Sequence, residues 1–293
     1  MSGYEFLAVF YRTLILSAAA LAQALCVGDA HGAGTPIPHG TLELFAEKQW
    51  IAAGHPFNIA LHFQIENGWH VYWVNPGDSG EPPRVQWKLP SGITAGAIEW
   101  PVPQRLGTTT IVDYGYEDAV TLIVPMHVGL SLAAQTPAQI AAEVKVLVCR
   151  EMCIPGKAQV SLTLPVKPQP PSTDRQNAHF FTEARKALPQ PAPANWKFAL
   201  AETNNSFVLT ANAGQQITEA TFFPLAEAQI SNAAPQTLAP TATGFRMTLR
   251  KSDQLLKPIA RLKGVLVLSG DRAYSIDVSV GKRIAGHTKS AGA

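Results

Sequence analysis

The sequence predicts an all-β protein: two immunoglobulin-like β-sandwich domains joined by a Pro-rich linker with one short helix. Short apolar-alternating runs recur through residues 42–165 with Pro/Gly turn material between them, which is the signature of a sandwich. The same pattern resumes after Trp196, and a single amphipathic stretch lies between the two. At 293 residues and 46% hydrophobic side chains, the chain is long enough to bury two cores.

Residues 1–30 read as an export signal. Arg12 closes a short n-region, residues 13–22 supply an apolar h-region too short to span a bilayer, and small residues permit cleavage after Ala24 or Ala30. Leu25 stands where a lipidated Cys26 would want a small neighbour. Cleavage after Ala30 leaves Cys149 and Cys153 as the remaining cysteines, and an oxidising compartment makes their pairing the default. No later stretch approaches the roughly 18 apolar residues of a membrane span. The 23 basic and 21 acidic residues, net +2, are scattered, so no nucleic-acid partner is expected.

The first domain is expected over residues 38–166. Alternating runs at 42–44 and 57–63 predict antiparallel strands around the turn at 53–56. His55, His62 and His70 lack ligand spacing and read as packed or solvated side chains. An aromatic strand follows from Trp69 to Trp73, its rings packing a sandwich core, and it runs into a Pro/Gly-dense turn where Asp78 and Ser79 bond their own backbone. Residues 107–118 read as a loop or hairpin with Tyr114 and Tyr116 at its tip, placed either to shield a reactive group or to pack an edge. Strands at 120–126, 140–149 and 158–165 complete the domain.

The chemistry concentrates at the end of the 140–149 strand. Val144, Val146 and Val148 share one face, Cys149 ends the run, Arg150, Glu151 and Met152 follow, and Cys153 precedes Ile154, Pro155 and Gly156. Pro155 and Gly156 argue against a simple continuation of the ladder. Four extended steps would hold the two Cα atoms roughly 13 Å apart, so a disulfide needs a turn between them. The loop closed is so short that a bridge would contribute only about 2 kcal/mol. Three readings stay open: a local structural disulfide, a redox-exchanging pair, and a soft-metal site for Cu(I) formed by Cys149, Met152 and Cys153. Arg150 and Lys157 favour a thiolate, and Glu151 opposes it.

Residues 167–194 read as the linker, proline-rich at both ends, with a helix over 174–188 capped from 172–174 and striped by Phe181, Ala184 and Leu188. Residues 195–282 predict a second, smaller sandwich, and 283–293 a flexible tail. The second sandwich has no cysteine, no paired carboxylates and no Gly-rich phosphate loop, so a docking or spacer role and no cofactor are expected.

The run from Trp73 to Pro83, Trp100-Pro101-Val102-Pro103, Tyr114-Gly115-Tyr116-Glu117, and Val148-Cys149 to Cys153-Ile154-Pro155 together resemble the N-terminal periplasmic domain of the thiol:disulfide interchange protein DsbD, in the branch that includes ScsB. The resemblance spans residues 40–165 and, more weakly, 195–280. It implies a periplasmic immunoglobulin-like module whose Cys149 and Cys153 exchange electrons between a membrane-embedded thiol reductase and periplasmic thioredoxin-like or disulfide-containing proteins. It also implies a cap, for which the loop of Tyr114 and Tyr116 is the candidate. The best-known relative spaces its cysteines more widely. The family's membrane-spanning and thioredoxin-like parts have no counterpart in these residues, so the electron supply is expected from a separate protein.

Overall fold

The computed structural model describes residues 34–132, 136–270 and 272–281, and the expected export signal, Cys26 and the tail at 283–293 lie outside them. The first sandwich holds β1 (Thr35–Ile37), β2 (Gly40–Ala46), β3 (Phe57–Ile65), β4 (His70–Gly77), β5 (Arg84–Lys88), β6 (Ile93–Ala95), β7 (Gln104–Gly107), β8 (Val112–Glu117), β9 (Ala119–Val128), β10 (Ala138–Cys149) and β11 (Cys153–Leu164). One sheet runs β1-β2-β3-β9-β6 and the other β11-β10-β4-β8-β7. The free side of β10 is shared: β5 pairs with residues 141–145, and β4 meets it only where Cys149 lies opposite His70.

Period-two burial sets which side chains meet. Along β10, Ile140, Ala142, Val144, Val146 and Val148 are buried between the sheets, together with Leu61, Phe63, Trp69, Val71 and Trp73. Cys149 and Leu147 therefore belong to the outer face of their sheet.

The ladder between β10 and β11 continues through Leu147 opposite Pro155 and Val146 opposite Gly156, against the expectation that Pro155 and Gly156 would end it. Strand β11 is the edge of its sheet, where a residue without an N–H is tolerated. Gly156 is needed for a different reason: a Cβ there would stand 2.4 Å from Cδ of Pro38.

After β11 the proline-rich segment is fastened to the first sandwich and does not hang free. Lys167 N–H donates to Ile51 O at 3.0 Å, Gln49 N–H to Ser172 O at 3.1 Å, and Asp174 N–H to Glu47 O at 2.8 Å. The helix α1 (Ala178–Ala187) starts later than expected because the Asp174 carboxylate accepts from Gln176 N–H and Asn177 Nδ2, both at 3.0 Å, and holds a turn. Phe181 and Ala184 pack on Ala60 and Ile123, whereas Leu188 is already extended.

The second sandwich contains β12 (Gln190–Pro191), β13 (Lys197–Glu202), β14 (Ser206–Asn212), β15 (Ala220–Pro224), β16 (Thr237–Thr241), β17 (Gly244–Arg250), β18 (Arg261–Leu268) and β19 (Ala273–Ser279). Its sheets run β12-β19-β18-β15 and β13-β14-β17-β16 around Phe207, Leu209, Phe222, Phe245 and Leu266. The sandwiches are packed together. Phe223 lies edge-on to Trp73 (centroids 6.4 Å) and Tyr114 (5.2 Å), and Phe223, Val265 and Ala273 belong to the core of the first sandwich.

Candidate functional site

Strands β10 and β11 form a hairpin closed by Cys149 and Cys153, which face each other in register and are joined by a disulfide with a Cα–Cα distance of 4.1 Å. The turn that the spacing demanded is made by Arg150, Glu151 and Met152, with Arg150 N–H donating to Met152 O at 3.1 Å. The two sulfurs differ in access: Cys149 is 2% exposed, and Cys153 is exposed at the sheet edge.

Strand parity selects the neighbours of the pair. His70 is opposite Cys149, and Tyr72 follows two residues later on the same outer face of β4. The Tyr72 hydroxyl is 3.5 Å from Cys153 Sγ. A disulfide sulfur has no hydrogen, so the phenol is the donor. Burial raises the Tyr72 phenol above its ordinary value; the Ser79 side chain opposes the rise and Asp113 adds to it. Burial likewise lowers His70, against the pull of Asp113 and Glu117, and its ring stands edge-on to Tyr72 with Nε2 buried and unpartnered.

A turn covers Tyr72. Gly80, at φ +78°, lies against the ring so closely that a Cβ would come within 2.1 Å of Cζ. The turn is anchored by Asp78 and Ser79, though not to itself as expected. Asp78 Oδ2 accepts from Val112 N–H at 2.8 Å, and the Ser79 hydroxyl donates to Asp113 Oδ2 at 2.9 Å. Both carboxylates thereby tie the turn to β8.

Tyr114 and Tyr116 are not on a loop tip. Both lie buried in β8, in the parity of Val112, and therefore point to the inner face, away from the disulfide. Tyr114 OH donates to Asn232 Oδ1 at 3.0 Å, and Tyr116 OH to Pro101 O at 2.8 Å. Opposite sheet faces separate them from the sulfurs, whereas the Tyr72 hydroxyl lies beside Cys153 Sγ and Gly80 lies against the Tyr72 ring. The Val112, Tyr114, Tyr116 alternation with Asp113, Gly115, Glu117 was the sequence signal for a strand there.

Around the rim, the Arg150 guanidinium lies 5.1 Å from the centroid of Trp69, on which His39 also stacks at 3.6 Å. Lys157 is paired to Glu143 at 2.9 Å, four residues down the strand from Cys153, so the nearer cation is Arg150. Met152 is 68% exposed at the tip, in the same hairpin as both sulfurs. A groove of about 400 Å³ beside the hairpin is lined by Pro82, Leu147 and Pro155 and by Arg84, Lys145 and Lys157.

Residues 42–165 match the family described as thiol:disulfide interchange protein DsbD, N-terminal. That segment carries the likeness to DsbD N-terminal domains. The family it matches is one of thiol–disulfide interchange, and in this chain the hairpin pair is a disulfide. The solved N-terminal periplasmic domain of ScsB from Proteus mirabilis is similar in fold, at TM-score 0.64 and 16% identity, over 83% of this chain and 94% of that one. That match extends beyond the DsbD N-terminal segment and bears out the two-sandwich architecture. The tandem Ig repeats of Dlar give TM-score 0.25 at 11% identity, over 85% of this chain and all (100%) of that one, a likeness too loose to bear on function. No curated protein matches this sequence. Among the described residues no helix is long and apolar enough to cross a membrane.

Proposed function

We propose that this chain is a periplasmic thiol–disulfide exchange module that relays reducing equivalents through Cys149 and Cys153, from a membrane-embedded thiol reductase to periplasmic thioredoxin-like or disulfide-containing proteins. One observation carries the reading: the disulfide closes an edge hairpin with Cys153 exposed and Cys149 buried. A short bridge in that position adds little stability, and it presents one sulfur to an incoming thiolate.

In the loading step a donor thiolate attacks Cys153 Sγ, and the bond to Cys149 breaks with Cys149 leaving as thiolate. The donor's second thiol then attacks the mixed disulfide, so two electrons reach the pair and the donor is oxidised. In the delivery step the Cys153 thiolate attacks the acceptor's disulfide, and Cys149 attacks Cys153 Sγ to re-form the bond and release the reduced acceptor. The Tyr72 hydroxyl supplies a hydrogen bond that is stronger to a Cys153 thiolate than to a neutral sulfur.

Trapping and potential test this together. Cys149→Ser is expected to accumulate a mixed disulfide with its partner through Cys153, and Cys153→Ser to accumulate none. A reduction potential below about −300 mV would mark an inert structural bridge and end the proposal.

A further inference from the structure

The second sandwich has no redox residue of its own, yet one of its side chains is bonded into the turn that covers the disulfide. Asn232 lies 154 residues from Asp78 in sequence, and its Nδ2 donates to Asp78 Oδ1 at 2.8 Å. Its Oδ1 accepts the Tyr114 hydroxyl at 3.0 Å, and its backbone carbonyl accepts from Arg105 Nη2 at 2.9 Å. The amide orientation follows from these partners, since a carboxylate only accepts and a protonated phenol is the donor. Burial keeps Tyr114 protonated by raising its phenol far above the ordinary value. Asn232 is 7% exposed; its bond to Tyr114 is buried and those to Asp78 and Arg105 are part-buried.

From Asn232 the contacts run without a gap to the sulfur. Asp78 is held by Asn232 on one oxygen and by Val112 N–H on the other. Ser79, next in the chain, is held by Asp113 through both its N–H and its hydroxyl. Gly80, next again, lies on the Tyr72 ring, whose hydroxyl reaches Cys153 Sγ.

We infer that Asn232 is a positioning residue for the exchange site: the second sandwich clamps the turn at 78–80 through Asn232 and so sets how closely Tyr72 covers the Cys149–Cys153 bond. Without Asn232, the carboxylate of Asp78, an exposed residue, keeps the Val112 N–H donor and exchanges the lost bond for water, so the turn gains by moving outward. That movement uncovers Tyr72 first, because Gly80 has no side chain to hold it elsewhere. The inference rests on the exchange reading, and gives the second sandwich a role in it.

The test is the rate at which dithiothreitol reduces the Cys149–Cys153 bond in the full chain under native conditions, with thermal unfolding followed in parallel. Asn232→Ala is expected to be reduced about tenfold faster than wild type, equivalent to roughly 1.4 kcal/mol on opening of the turn. Asn75→Ala is the control for general loosening. Asn75 Nδ2 bonds Pro224 O at 2.7 Å and Ala226 O at 3.3 Å across the same interface, and its Oδ1 accepts from Gly77 N–H at 3.1 Å; among the described residues it has no hydrogen bond to Asp78, Ser79 or Gly80, so its rate is expected to stay near wild type. In a Tyr72→Ala background, Asn232→Ala is expected to add nothing. An Asn232→Ala rate less than about threefold above wild type overturns the inference, as does equal acceleration by Asn75→Ala or acceleration that persists without Tyr72. If Asn232→Ala does not fold, Asn232→Ser is read against the same bounds. The exchange reading is judged separately, by the wild-type potential and by partner trapping, so either can fail while the other stands.

Discussion

The Tyr72 hydroxyl donates to Cys153 Sγ across 3.5 Å, from a strand two positions removed from the edge on which Cys153 lies. The contact couples the exposed sulfur to the interior of the sheet. A donor there favours the anion that forms when the disulfide opens, and so lowers the thiol's proton affinity.

Tyr72→Phe keeps the ring and removes the donor. The Cys153 thiolate of the reduced protein then loses a hydrogen bond of about 1.5 to 3 kcal/mol, and the thiol is expected to hold its proton to higher pH. Thiolate ultraviolet absorbance against pH reads this directly, and an unchanged titration would remove Tyr72 from the mechanism.

Gly80→Ala places a methyl group where the Tyr72 ring already stands, on a backbone at φ +78°. Either the turn lifts or the ring moves. The expected result is a loss of about 1 to 3 kcal/mol in denaturant unfolding together with faster reduction of the disulfide. Wild-type stability with a wild-type reduction rate would show that the turn does not press on Tyr72.

Acid should weaken the fold through the buried His70 and the partly buried His62. Burial holds His70 below its ordinary value of 6.5, and His62 is lowered by burial and by His179. The unfolded chain therefore takes up protons near pH 6.5 while the folded protein resists until lower pH, and stability falls as pH drops through that window. Replacing His70 with Phe removes its share, so the fall in thermal midpoint between about pH 7.5 and about pH 5 is expected to shrink. An equal fall in both proteins would show that His70 is not what resists protonation.

Phe223→Ala removes a ring that packs edge-on to both Trp73 and Tyr114. The expected loss is about 3 kcal/mol, with one unfolding transition in the wild type and two in the variant as the sandwiches uncouple. Calorimetry distinguishes this from a merely local cavity, which would lower the midpoint without splitting it.

The sandwich strands and the turn between the cysteines were legible because both follow from local rules. Val144, Val146 and Val148 mark one face of β10 by period two, and two thiols four residues apart can bond only across a reversal. The same rule, applied to Val112, Tyr114 and Tyr116, would have put those tyrosines inside the sandwich. The glycine and threonines at 107–110 instead made the whole segment read as a loop. Pro155 was misleading in the opposite sense, since its tolerance depends on β11 being an edge strand, which no local pattern states.

Taken alone, the sequence determined the all-β class and the cysteine pair at a strand end, because alternation and residue chemistry are properties of neighbours along the chain. Which residue covers the sulfur, which cysteine faces solvent, and how the second sandwich reaches the first were decided only by tertiary structure. Tyr72 and Cys153, or Asn232 and Asp78, are brought within bonding distance by sheet order and interface packing, and those depend on the whole set of buried faces at once.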